Sequence, residues 1–221
     1  LNDAHTLIDE VLVNDVYGYE ALAPKPHILD VGASNGLFCF SVLKRFPGAR
    51  VTAVEPLPEN ISLLRRNLSA FSDGRVSIVE GAVTPGRAPS TNLTVPVDVA
   101  RWGGLGASIV PRARFASRET GEIEVGAHSL SDLISGPVDL LKMDIEGAEY
   151  DVLMENRDAL EQVAQIAAEL HMDVGHTSER LAELVGMLTE AGFALSFSGP
   201  SVGVSREEPR SILLHGKRPA R

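Results

Sequence analysis

The sequence predicts an α/β fold, a doubly wound and mainly parallel seven-stranded sheet with helices on both faces and a C-terminal antiparallel hairpin. Three observations predict it. Apolar runs of strand length alternate with segments of helical period along most of the 221 residues. The first run, residues 27–30, breaks into a turn punctuated by Gly32 and Gly36 and resumes as an apolar helix, the pattern of a βα unit with a ligand-binding loop. Four predicted strands also end in an acid, at Asp30, Glu55, Asp144 and Glu169. In a parallel sheet these ends converge on one edge, where such sheets bind ligands.

The elements follow in chain order. Leu7, Ile8, Val11 and Leu12 recur at helical spacing, so residues 4–13 read as a leading amphipathic helix. Pro24 and Pro26 then break the chain ahead of the first strand. The helix from about residue 37 to 45 stops at Phe46-Pro47-Gly48, and residues 50–55 form a second strand ending in Glu55. Pro58 opens a helix with Ile61, Leu64, Leu68 and Phe71 on one face, and Asp73-Gly74 closes it. Residues 75–80 are a third strand, closed by Gly81-Ala82.

Residues 84–126 change character, with Pro85, Pro89, Pro96 and Pro111, glycines after Trp102 and no helical period. A connection of this length is more often functional than idle. It reads as a substrate-covering insertion containing at most short β segments such as 121–125, with Trp102, Arg101, Arg112 and Arg114 as wall residues. Order returns with a short helix at 130–134, a buried strand at 137–144 and a helix at 147–156 whose start carries Glu146, Glu149 and Asp151. Residues 165–171 are the fifth strand of the main sheet. Thr177 caps a helix bearing Leu181, Leu184, Val185 and Leu188, ended by Gly192. Two closing strands, 191–197 and 210–216, complete the sheet. The whole reads as one domain, 1–221.

The glycine loop separates two cofactor classes. A dinucleotide site wants G-x-G-x-x-G, whereas here the spacing is Gly32-x-x-x-Gly36. Asp30 at the strand end would repel a pyrophosphate and suits a ligand carrying hydroxyls, an ammonium and a sulfonium, which describes S-adenosylmethionine (SAM). Glu55 ends the neighbouring strand, where an acid accepts hydrogen bonds from both ribose hydroxyls. The expected cofactor residues are Asp30, Gly32, Ser34, Asn35, Gly36, Leu37, Glu55, Pro56, Asn60, Gly81, Ala82 and Asp144.

Bulk composition narrows the partners. Hydrophobic residues make up 44% and charged residues 23%, an ordinary globular balance, and the formal charge of −10 disfavours broad contact with nucleic-acid backbones. No run is apolar enough to span a membrane and no signal-peptide pattern is present, so the expectation is a cytoplasmic enzyme without membrane partners. Cys39, the only cysteine, falls in the apolar pattern and reads as a core thiol. The reading allows a homodimer, through the insertion or the leading helix.

With these residues placed, the chain resembles the SAM-dependent methyltransferases of the FkbM family over roughly residues 27–196. The cofactor half, Ile-Leu-Asp30-Val-Gly32-Ala-Ser34-Asn35-Gly36 followed by Val-Glu55-Pro56, is shared by class I methyltransferases at large. The narrower signal is Lys142-x-Asp144-x-Glu146-Gly147-x-Glu149, with Glu169-Leu-His171 downstream and Leu130-x-Asp132-Leu133 upstream. The resemblance implies O-methylation of a sugar or polyketide-type hydroxyl. Met143-Asp144-Ile145-Glu146 stands where amino-methylating enzymes often carry Asn/Asp-Pro-Pro-Tyr, which argues against N-methylation. The 84–126 segment matches no pocket pattern and leaves the acceptor unnamed.

An alcohol is a weak nucleophile at neutral pH, so a base or a metal is needed. His171, two residues beyond Glu169 on the same side of its strand, is the first choice of general base, with Glu146 or Glu149 next and Asp144 and Lys142 completing the catalytic set. Asp144 and Glu169 end adjacent strands about 4.8 Å apart and could share Mg²⁺. His176 with Asp173 is a weaker metal or base candidate, while His27, His128 and His215 read as structural. The alternatives are an NAD-linked oxidoreductase and a catalytically inactive methyltransferase-fold binding module.

Overall fold

The computed structural model describes residues 11, 14–19, 22–71, 73–96, 107–110, 119–172, 178–199 and 211–219. Residues 4–13, apart from Val11, lie outside the described residues, as do Trp102, Arg101, Arg112, Arg114, Asp173, His176 and Thr177.

The main sheet has seven strands in the order β3-β2-β1-β7-β8-β10-β9. The middle of its five parallel strands is β1 (His27–Val31), flanked by β2 (Arg50–Glu55) and β7 (Leu140–Met143). Outside these lie β3 (Val76–Glu80) and β8 (Gln165–His171), also parallel to their neighbours. The C-terminal strand β10 (Ser211–Lys217) runs antiparallel to β8 on one side and to β9 (Ala194–Ser198) on the other. The fold is the α/β class expected, with the antiparallel pair at the C-terminal edge.

Alternation along β1 sorts its side chains between two cores. Leu29 and Val31 face a cluster built with helix α4 (Glu149–Glu155) and helix α5 (Ser178–Glu190), among them Tyr150, Leu153, Leu184 and Leu188. Ile28 faces the opposite cluster, where helix α1 (Leu37–Arg45) contributes Phe38, Cys39, Val42 and Leu43 and helix α2 (Pro58–Asn67) contributes Leu64. Central parallel strands are covered on both faces and so tolerate near-continuous apolar runs. Tyr17 and Tyr19 from the N-terminal segment pack edge-on against Phe38 in the second cluster.

The region 84–126 departs from expectation. A three-stranded sheet of order β4-β6-β5 forms there, with β5 (Ser90–Pro96) paired antiparallel to the nine-residue β6 (Thr120–His128), and β4 (Ala82–Val83) parallel to it. β3 does close at Gly81 as expected, and Ala82 in addition opens the two-residue β4. The short helix α3 (Leu130–Leu133) follows, its N-terminus closed by a reciprocal Ser129–Asp132 capping box.

Candidate active site

The site begins with the turn after β1. Gly32 has φ +80° and a Cβ placed there would lie 1.9 Å from the carbonyl oxygen of Asp144, so only glycine lets the loop and the end of β7 approach this closely. Ser34, also at positive φ (50°), donates its backbone N–H to Glu55 Oε2 at 2.8 Å. Glu55 Oε1 accepts from the N–H of Leu57 (3.0 Å) and from Asn60 Nδ2 (3.1 Å). These bonds lock the ends of β1 and β2 together, and burial pushes the Glu55 carboxyl up from its ordinary range.

A cleft opens beyond these strand ends. Of the expected cofactor residues, Gly32, Ser34, Glu55, Pro56, Asn60, Gly81, Ala82 and Asp144 line it, joined by Glu146. Leu93, Ala107 and Ile109 of the insertion form part of its wall. No motif marks these three in the sequence, because a lone apolar residue in an irregular segment carries no periodicity to read.

Asp30, Asn35, Gly36 and Leu37 are not among the lining residues. Asp30 lies one residue inside the end of β1, on the Ile28 side, and is fully buried. Its Oδ1 pairs with Lys142 Nζ at 3.2 Å and its Oδ2 accepts from Cys39 Sγ at 3.0 Å. Asp30 and Lys142 are register partners on β1 and β7, which puts the two side chains on one face. Lys142 Nζ also donates to the carbonyl of Gly32 (2.8 Å) and lies over the Tyr17 ring. Burial alone would lower the Lys142 ammonium, but Asp30 and Asp144 outweigh it and hold the pKa above its usual value. Lys142 thus ties the glycine loop to the sheet from behind. Asn35 serves the next helix, its Oδ1 accepting the Leu37 N–H at 3.1 Å.

At the other end of the cleft, residues 144–147 make a tight loop in which Glu146 has φ +62° and Gly147 φ +115°. Glu149, the first residue of α4, is fully buried beneath it. Its Oε1 accepts the N–H groups of Ile145 (3.0 Å) and Gly147 (3.1 Å) and contacts His171 Nδ1 at 2.9 Å. This explains why α4 starts at Glu149 and not at 147: the loop is folded around the carboxylate. His171 Nε2 is 3.4 Å from Glu146 Oε2 and 4.0 Å from Glu169 Oε1.

The electrostatics divide this cluster. Burial would lower the His171 pKa, but Glu149 and then Glu146 outweigh it and raise it to about 10. Burial would likewise raise Glu149, yet His171 and the donated N–H groups hold it at about 2. His171 and Glu149 are a buried ion pair at neutral pH. Asp144 goes the other way: burial, then the charge of Glu169, pushes its carboxyl up to about 7.

Asp144, Glu149 and His171 each offer one ligand atom, all within 4.8 Å of one another. Of the two Glu149 oxygens, the buried Oε2 has no hydrogen-bond partner among the described residues and the other is taken. Glu149 Oε1 is engaged by three nitrogens, and His171 holds a proton that a metal would have to displace. Asp144 and Glu169, the expected Mg²⁺ pair, do come from neighbouring strands, Asp144 just past the end of β7 and Glu169 inside β8, two residues short of its end at His171. There Glu169 Oε1 accepts from Ser211 Oγ at 2.6 Å, and the repulsion between the two acids is relieved by a raised Asp144 pKa.

The family model of the methyltransferase FkbM domain matches residues 30–195. The chain belongs to that family. Among its relatives, the FkbM domain is 29% identical to the AMB antimetabolite synthetase AmbE of Pseudomonas aeruginosa over 89% of this chain but only 11% of that protein. It is 28% identical to the 31-O-demethyl-FK506 methyltransferase FkbM of Streptomyces tacrolimicus, over 87% of this chain and 83% of the relative. A solved FkbM methyltransferase from Methylobacillus flagellatus superposes with a TM-score of 0.58 at 17% identity, covering 94% of this chain and 47% of that one. Family membership makes this a SAM-dependent methyltransferase domain and leaves the dinucleotide alternative without support. The cleft fits such a cofactor on its own terms: among the described residues the buried Ser34 hydroxyl has no hydrogen-bond partner, and Glu55 is held at the end of β2.

Proposed function

We propose that the FkbM domain transfers a methyl group from SAM to a hydroxyl of a small-molecule acceptor, a sugar or a polyketide-type natural product. The observation that carries this is the meeting of Asp144 and Glu146 with Gly32, Ser34 and Glu55 on the wall of one cleft, where burial and then Glu169 push the Asp144 carboxyl up to about 7. A group with that pKa takes a hydroxyl proton and releases it again at physiological pH. The name of the Streptomyces relative, a 31-O-demethyl-FK506 methyltransferase, supports oxygen as the acceptor atom.

Bound SAM supplies an electrophilic methyl on a sulfonium. Gly32, Ser34, Glu55, Asn60 and Ala82 are the residues that would hold it. Asp144 removes the acceptor proton, and Glu146 on the same wall accepts hydrogen bonds from the acceptor's other hydroxyls. His171, charged, acts as the counter-ion that keeps Glu146 and Glu149 in place instead of as the base. The insertion covers the acceptor side, a reading supported by Leu93, Ala107 and Ile109 in the cleft wall.

The test is twofold. Calorimetry with S-adenosylhomocysteine (SAH), with NAD as control, should show binding of the first alone. Radiolabelled SAM offered with a panel of methyl glycosides and macrolide aglycones should then label a hydroxyl. Binding without transfer to any member would favour the inactive binding module.

A further inference from the structure

One residue outside every motif joins the insertion to the acid loop. Ser108 is 1% exposed, and its backbone pairs with Thr94 of β5 in both directions, N–H to carbonyl at 3.1 Å and 2.9 Å. Its hydroxyl leaves the insertion and donates to the carbonyl oxygen of Glu146 at 2.7 Å, while accepting the Val110 N–H at 3.2 Å. The neighbours on either side, Ala107 and Ile109, line the cleft. One short segment therefore walls the cleft and grips the loop that carries the acids.

The grip falls where the backbone needs it. Glu146 sits at φ +62°, a conformation that is strained for a non-glycine residue and persists only when its surroundings over-determine it. From the sheet side, Glu149 holds the N–H groups of Ile145 and Gly147. Those bonds fix the 144–145 peptide and the N–H end of the 146–147 peptide, and Ser108 holds the carbonyl end of the latter. We infer that Ser108 is a positioning residue: its hydroxyl is the clamp through which the insertion holds the Glu146 peptide in its strained conformation, and with it the orientation of Asp144 and Glu146 toward the acceptor. For its catalytic consequence this rests on the methyltransferase reading; the clamp itself does not.

The experiment compares the wild type with Ser108→Ala and Ser108→Thr. Hydrogen exchange over peptides covering 144–149 should run at least tenfold faster in Ser108→Ala and return to the wild-type rate in Ser108→Thr. SAH affinity should change less than threefold in either variant. With labelled SAM and the acceptor panel, Ser108→Ala should lower kcat more than tenfold with little change in KM for SAM, and Ser108→Thr should restore it. Unchanged exchange at 144–149 in a folded Ser108→Ala protein overturns the clamp. Equal loss in both variants overturns it too, since threonine keeps the hydroxyl. If the wild type methylates nothing in the panel, the methyltransferase reading fails there while the exchange measurement still decides the clamp.

Discussion

Asp144 and His171 belong to one cluster yet sit in opposite protonation regimes, and the reason is local. His171 faces two carboxylates, Glu149 and Glu146, that favour its proton, whereas burial and then the charge of Glu169 favour a proton on Asp144 itself. Removing the Asp144 carboxylate as Asp144→Asn should therefore cut methyl transfer by about 10²- to 10⁴-fold, the usual worth of a general base, with SAH affinity nearly intact. Since the working form is the ionised one, the wild-type rate should fall about tenfold per pH unit below the Asp144 value of about 7 and level off above it. A flat profile from pH 5 to 8 would remove Asp144 from the role. Excess chelator should leave turnover unchanged, because the acids accommodate a proton. Loss of activity restored by Mg²⁺ would give Asp144 and Glu169 to the cation after all. Residue identity is legible in the sequence here, since all four strand-end acids stand out. Their roles are not: which acid meets a cation, a proton or a backbone N–H depends on neighbours as distant as Lys142 from Asp30.

At the scale of elements, the contact between the turn after β1 and the end of β7 is the tightest constraint. Gly32→Ala would place a Cβ 1.9 Å from the Asp144 carbonyl as well as straining the backbone at φ +80°. At Gly74, with φ +84°, none of the described residues comes within 4 Å of where an added methyl would sit, so this position isolates the strain alone. Gly74→Ala should thus cost about 1–2 kcal/mol in thermal or denaturant unfolding, and Gly32→Ala distinctly more, with loss of SAH binding. Equal costs would show that the strand ends yield easily. The strands and helices of the main sheet can be read because their apolar periods are strong; residues 50–55 and 165–171 are strands as expected. The β5–β6 pair shows in the sequence only as short segments, for a physical reason. Its strands are rich in polar residues and β5 ends in a proline, β6 alternates between exposed and half-buried positions, and the pairing joins segments about thirty residues apart, a fact that no local pattern contains.

Across the whole molecule, the buried His171–Glu149 pair links stability to pH in both directions. Glu149, lowered from 4.5 to about 2, contributes stability that is present above its unfolded value and lost as pH falls toward 2. His171, raised from 6.5 to about 10, contributes stability that is full below 6.5 and lost as pH rises toward 10. The melting temperature should accordingly peak between about pH 4.5 and 6.5 with respect to this pair, and the decline from 6.5 to 10 should flatten in His171→Gln. An unaltered decline in that variant would place the alkaline loss elsewhere. Fold class is legible at this scale because alternating elements permit few topologies. What the sequence does not supply is the threading of a small second sheet onto the edge of the cleft.

The order of the last three strands has a temporal meaning. Among the described residues β9 pairs only with β10, and β10 lies between it and β8. On the ribosome β9 emerges first and lacks its partner in the finished sheet until residues 211–217 follow it. Five parallel strands and the cleft they frame can assemble beforehand, while β8 waits with one open side. A nascent chain halted just short of residue 211 would expose that side of β8 and an unpaired β9 together, the pair of surfaces a chaperone would meet first.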